Sequence, residues 1–151
     1  MATTCLLGID VGGTAVKVGL FRMTGELVAL EQVAIPVQSP IPGWAEIDPE
    51  CWFEAITKGT HSVLDGAGVS ADCVAALGLS NMIGTVTPLD ASGSPLRPAI
   101  TYFDTRSAQQ ASWILQRVPH VEEITGNRIV SGNTSLTSIH SMHLAASEEK
   151  S

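Results

Sequence analysis

Apolar and polar positions near the start of the chain alternate with a period of two. Residues 5–9 (Cys-Leu-Leu-Gly-Ile) form a short apolar run that ends at Asp10, which predicts a buried strand. Val11-Gly12-Gly13-Thr14 reads as a turn. Residues 15–21 then put Val16, Val18 and Leu20 on one face and Lys17, Gly19 and Phe21 on the other. A second turn, Met23-Thr24-Gly25-Glu26, leads into a third strand over 27–35. Three strands joined by tight turns predict an antiparallel meander. Residues 36–46 carry Pro36, Pro40, Pro42 and Gly43 and read as a loop. Asp48-Pro49 then supplies an N-cap and a first helical residue. Trp52, Phe53, Ile56, Val63 and Leu64 recur at near-helical spacing, so 49–64 is expected to be an amphipathic helix ended by Gly66 and Gly68. Further strands are expected over 74–79, 85–89 and 98–103, with a reverse turn at Asp90-Ala91-Ser92-Gly93. Helices are expected over 107–117, 119–126 and 137–147, followed by a frayed tail over 147–151. The order βββαβββαα is mixed α/β without strict alternation.

Composition narrows the picture. The chain has 151 residues, 44% of them hydrophobic, enough for one domain with a core over 1–151. Eight Lys and Arg against 15 Asp and Glu leave a net charge of −7, and the cations are scattered along the chain. Such a chain repels phosphate backbones, which argues against nucleic acid as a partner. No apolar run approaches the length of a membrane helix, and Met1-Ala2-Thr3-Thr4 has no basic leader, so no membrane role is expected. Cys5, Cys51 and Cys73 read as small apolar residues in a reducing cytoplasm.

The stretch most suited to chemistry is Gly8-Ile9-Asp10-Val11-Gly12-Gly13-Thr14-Ala15-Val16-Lys17. A carboxylate leaving a buried strand, with glycines directly behind it, suits a phosphate and metal site. Glycine lets backbone N–H groups approach phosphate oxygens, and a single carboxylate can hold Mg²⁺ through water. Thr14 adds a hydroxyl and Lys17 a positive charge. A plain hairpin with Asp-Val-Gly-Gly as turn residues explains the same residues equally well. The spacing is not that of a P-loop, nor that of a dinucleotide-binding fingerprint.

Four blocks carry a resemblance. Gly8 to Phe21 resembles the phosphate-binding hairpin of the actin/hexokinase/Hsp70 ATPase superfamily. Pro42-Gly-Trp-Ala-Glu-Ile-Asp-Pro-Glu-Cys-Trp-Phe53, Val74-Ala-Ala-Leu-Gly-Leu-Ser80 and the stretch from Leu89 to Ser107 resemble, in order and separation, segments of the FGGY carbohydrate kinases, most nearly the pentulokinase and xylulokinase branch. The resemblance implies an α/β, ribonuclease-H-like mixed sheet with flanking helices. It implies ATP-dependent phosphorylation of a sugar or polyol hydroxyl, with ATP and Mg²⁺ as cofactors. On it, Asp10 is the magnesium-associated aspartate, and Gly12, Gly13 and Thr14 are the phosphate-contacting turn, beside which Lys17 is the expected positive charge. The turn after the third block, where Asn81, Met82 and Ile83 stand, is the polyol-contacting one. Counted from Gly78, the family's Met and His positions hold Ile83 and Gly84 here, so Asn81 is the side chain left to hydrogen-bond a hydroxyl. Tyr102 stands for the family's Trp as an aromatic wall, Phe103 replaces Asn, Asp104 is an expected acceptor of sugar hydroxyls, and Arg106 is expected to be structural.

The family is much longer, and its adenosine site and general base lie in a second domain. The expectation is therefore an N-terminal domain fragment, inactive alone, whose uncovered apolar surface favours association, a homodimer being one form of it. The alternative is a non-catalytic module that binds sugar or a partner chain. Another sugar-kinase branch sharing the Asp-x-Gly-Gly-Thr motif is a third reading, against which the second and fourth blocks argue. His140 and His143 read as a solvated helix face, and Asn133-Thr134-Ser135 as a sequon without use in the cytoplasm.

Overall fold

The computed structural model describes residues 4–132. The helix expected over 137–147, the His140 and His143 pair, the sequon and the tail lie outside the described residues. The chain divides into two compact units, one of residues 1–36 and 49–82, the other of residues 37–48 and 83–151.

The first unit holds the expected meander. Strands β1 (Cys5–Val11), β2 (Ala15–Arg22) and β3 (Leu27–Ala34) are antiparallel, and β5 (Val74–Asn81) lies parallel to β1, in the order β3-β2-β1-β5. Alternation sorts the side chains as predicted. Cys5, Leu7, Ile9, Val16, Val18 and Leu20 are buried on one face. Helix α1 (Glu50–Ala67) lies across β2 and β3 on that face. It ends on Gly68, which takes the left-handed conformation that closes a helix (φ 62°). The expected cap shifts by one residue. Pro49 occupies the N-cap position, and its carbonyl accepts the Trp52 N–H. The buried face of α1 also departs from expectation. Ala55, Gly59, Val63 and Leu64 are buried, whereas Phe53 is 65% exposed. Small residues let the helix approach the sheet. A Cβ at Gly59 would lie 2.7 Å from Val18 Cγ2, beneath which there is no room to retreat. At the sheet edge, β5 carries Leu77 and Leu79 more than half exposed.

The second unit is built from short pieces. Strand β4 (Glu46–Ile47), inside the expected loop, pairs antiparallel with β6 (Ala99–Ile100). Single bridges extend this pair outward from Glu46 to Gln38 and from Ile100 to Val86. The strands expected over 85–89 and 98–103 thus shrink to isolated rungs and two residues. Pro88, Pro95 and Pro98 remove the donors a longer ladder needs. Helices α2 (Ala108–Arg117) and α3 (Val121–Thr125) follow, with Ala111 and Ile129 buried between Ile114 and Val121. No helix among the described residues is long and apolar enough to cross a membrane. The cysteines form no disulfide.

Gly59→Ala sets a helix-propensity gain of up to about 1 kcal/mol against overpacking of roughly 1–3 kcal/mol. The crowding prevails because Val18 is fully buried and stiff at χ1. The urea midpoint is expected to fall with an unchanged slope.

The reverse turn at Asp90 forms as read. Its Oδ1 accepts the Ser92 hydroxyl at 2.6 Å and the N–H groups of Ser92 and Ser94. The Ser92 hydroxyl bond, above all, holds the exposed Asp90 carboxyl below its ordinary range. A depressed carboxyl stabilises the fold above its unfolded pKa, and that contribution is lost as pH falls through the folded one. In an NMR titration, Ser92→Ala is expected to raise the Asp90 midpoint.

Candidate functional site

The residues singled out by sequence fall into two constellations, one in each unit. In the first, the register of the sheet does the gathering. Asp10 lies opposite Lys17 on β2 and beside Ser80 on β5. Residues paired across neighbouring strands share a face, so carboxylate, ammonium and hydroxyl stand on the side of the sheet away from α1. One pleat along, Gly8 pairs with Gly19 and with Gly78. This row of glycines floors an open recess of ≈ 440 Å³ that has Asp10, Lys17 and Ser80 on its margin. Phe21 closes one side, its ring lying where Cβ atoms at Gly8 and Gly19 would be. Asp10 is exposed, and among the described residues no hydrogen bond or ion pair engages its carboxylate. Lys17 is likewise exposed.

The turn after β1 is tight. Gly12 N–H donates to Ala15 O at 3.0 Å, which leaves the Gly13 and Thr14 amides outside that bond. Glycine is needed at position 12 for closeness, because a Cβ there would lie 2.8 Å from the Ala15 oxygen. Neither Gly12 nor Gly13 has a positive φ. Asn81 pairs with Val11, and Met82 N–H donates to Val11 O at 3.0 Å, so the turn that follows β5 begins beside the end of β1. Ile83 is 88% exposed.

The second constellation surrounds Arg106. Ile41-Pro42-Gly43-Trp44 is a turn with φ +86° at Gly43, the type II pattern that requires glycine there, and Trp44 N–H donates to Ile41 O. It presents the Trp44 ring to the Arg106 guanidinium, whose carbon lies 3.7 Å from the ring centroid. Arg106 Nε and Nη2 grip Asp104 Oδ1 and Oδ2 at 2.8 and 2.7 Å. Nη2 also reaches Glu46 Oε1 at 2.8 Å, which accepts Arg97 Nη2 at 2.6 Å. The cluster is neutral, with two guanidinium groups against two carboxylates. The Asp104 and Arg106 side chains are almost fully buried. Asp104 further accepts the Ala45 N–H at 2.7 Å and the Arg106 N–H at 2.9 Å.

This corrects the expectation that Asp104 receives sugar hydroxyls. Both its oxygens are filled from within its own unit, and it is 1% exposed. Arg106 is structural, as read. Tyr102 and Phe103 are about half exposed at the tip of the turn that Asp104 closes. Sequence reasoning gave no role to Ser80, Glu46 or Arg97. Ser80 enters only through the β1–β5 register, and the other two only through contacts more than 50 residues apart.

The donor set around Asp10 fits a magnesium-bound phosphate chain. Among the described residues there is no cluster of three or more His, Cys, Asp or Glu. One unbonded carboxylate with a hydroxyl and a lysine nearby suits an ion that keeps waters and takes phosphate oxygens.

The N-terminal domain of the FGGY family of carbohydrate kinases matches residues 5–140. The xylulose kinase of Escherichia coli K12 is 39% identical over 128 residues, 85% of this chain and 26% of that protein. The glycerol kinase of Thermococcus onnurineus is 30% identical over 122 residues, 80% of this chain and 25% of that protein. Among solved structures, the xyloylose kinase from Brucella ovis superposes with a TM-score of 0.87 at 29% identity, covering 95% of this chain and 30% of that one. The chain thus spans about a quarter of the length of the curated relatives it matches.

Asp104→Asn removes one charge from a buried neutral cluster and is expected to cost about 3 kcal/mol. Arg22→Ala, which breaks the exposed Arg22–Glu26 pair, is expected to cost less than about 1 kcal/mol. Urea unfolding of both variants checks the contrast.

Proposed function

The chain belongs to the FGGY family of carbohydrate kinases, with the family's ribonuclease-H-like fold, and we propose that it supplies the phosphate hairpin and part of the sugar site for ATP-dependent phosphorylation of a sugar or polyol hydroxyl. The substrate class favoured is a ketopentose of the xylulose type, since several relatives and structural neighbours are named xylulose kinases. The reaction is placed in the cytoplasm, where ATP is supplied.

One observation carries the reading. Asp10 ends a buried strand with its carboxylate exposed and unbonded among the described residues, above a recess floored by glycine. A module that bound sugar or a partner without turnover would have no use for such a group. In the proposed site Asp10 holds Mg²⁺ through water. Gly12, Gly13 and Thr14 approach phosphate oxygens, and Lys17 offsets their charge. The magnesium, when bound, neutralises charge on the transferred phosphoryl group. The chain's own contribution is positioning, from a turn whose shape is fixed before any ligand arrives.

As sugar-side residues, the first unit offers Asn81 for a hydrogen bond and Met82 for apolar contact, and the second unit offers Ile83 and the Tyr102 ring. Asp104 leaves this group, and its N–H, donating to Thr101 O, closes the turn that carries Tyr102. No general base is assigned to this chain. The exposed Leu77 and Leu79 support the self-association expected from the sequence.

The test uses the 151-residue chain and magnesium tripolyphosphate, followed by titration calorimetry. Asp10→Asn keeps the shape and removes the charge, and is expected to weaken binding by at least about tenfold. Lys17→Met is expected to weaken it less. Equal affinity in wild type and Asp10→Asn overturns the phosphate-site reading.

A further inference from the structure

Two half-exposed rings sit on a buried frame in the second unit. Tyr102 and Phe103 are 44% and 48% exposed, while Thr101 and Asp104, on either side of them, are 0% and 1%. The rings adjoin, with centroids 4.0 Å apart and planes tilted by 34°. Leaving that much aromatic surface in water is unfavourable, and a flexible loop would fold it inward.

The backbone prevents this. Asp104 N–H donates to Thr101 O, closing the turn. Thr101 N–H and Oγ1–H both donate to Ala45 O. Thr105 N–H and Oγ1–H both donate to Gly43 O. The backbone of Gly132 abuts the Tyr102 carbonyl so closely that no Cβ fits there. The exposure of the rings is therefore built into the turn.

Arg106 ties the frame together. Its fork holds both oxygens of Asp104, its Nη2 reaches Glu46 on β4, and its face lies on Trp44. A lysine has neither the fork nor the plane. Rings this close lie face against face, so Phe103 backs Tyr102 on a fixed backbone and leaves an outer ring face of the kind that receives the C–H face of a sugar or polyol.

We propose that Phe103 is the ring that backs Tyr102 in the sugar wall, and that Arg106 is the positioning residue that sets the turn carrying both. The inference rests on the carbohydrate-kinase reading above and deepens it.

The chain has one tyrosine, so ¹⁹F NMR of the 151-residue protein labelled with 3-fluorotyrosine reads Tyr102 alone. D-xylulose and, separately, glycerol are titrated in. In the wild type, sugar is expected to move a single sharp line saturably. Phe103→Asn is expected to leave the resting line sharp and weaken binding about three- to tenfold. Phe103→Trp, which keeps a ring there and adds no tyrosine, is expected to restore it. Arg106→Lys is expected to broaden or split the line before any sugar is added. Glu46→Gln, which removes one of the two carboxylates holding the guanidinium, is expected to act in the same direction and stands in should Arg106→Lys fail to fold. Sugar affinity indifferent to Phe103→Asn overturns the assignment of Phe103 as the backing ring alone. A sharp, unshifted line in Arg106→Lys or Glu46→Gln overturns the positioning role. A wild-type line that neither sugar nor polyol moves overturns the Phe103 assignment together with the carbohydrate reading of this turn, and leaves Arg106 no wall to position.

Discussion

Strand β1 is paired on both sides, antiparallel to β2 and parallel to β5, and those two ladders fix everything around Asp10. A slip of one residue in either would turn its row of side chains to the opposite face. The register puts glycine beside glycine beside glycine, and then charge beside charge beside hydroxyl. The buried alternation on the α1 side, Leu7 and Ile9 against Val18 and Leu20, is what makes the slip costly. The core thereby sets the chemistry of the opposite face without touching it.

The second unit solves a different problem. It has little regular structure, and two-residue strands cannot hold a loop by themselves. Charge takes over. Four charged groups sum to zero around one guanidinium, and nearly every carboxylate oxygen has a donor. Such a cluster contributes less net stability than its contact distances suggest, since burying the charges is itself expensive. Its effect is on uniqueness. Asp104 can be satisfied only when residues 43–46 and 101–106 lie in one arrangement.

Much of this was legible in the amino-acid order. The meander follows from period-two alternation and paired turn residues, and Asp10 from its place at the end of an apolar run. The buried face of α1 was harder to read. Counting large apolar residues places Phe53 inside, but the approach of helix to sheet is governed by Gly59 and Ala55. Strand β4 was hidden because its partners, Gln38 and Ile100, lie on either side of it at unequal distances, and two residues leave no periodicity. Asp104 shows the limit most clearly. Its pairing with Arg106 is local and visible, whereas the Ala45 amide that also donates to its Oδ2 lies 59 residues away. A carboxylate's availability is decided by donors that no local pattern reveals.

The outer edge of β5 has a consequence of its own. Val-Ala-Ala-Leu-Gly-Leu-Ser-Asn contains no charged residue and no proline, the two devices by which edge strands discourage further pairing, and Leu77 and Leu79 stand out from it. A stretch of this kind is a template for cross-β growth whenever another chain reaches it. In concentrated preparations of this polypeptide those eight residues are therefore an edge from which fibrous association can start.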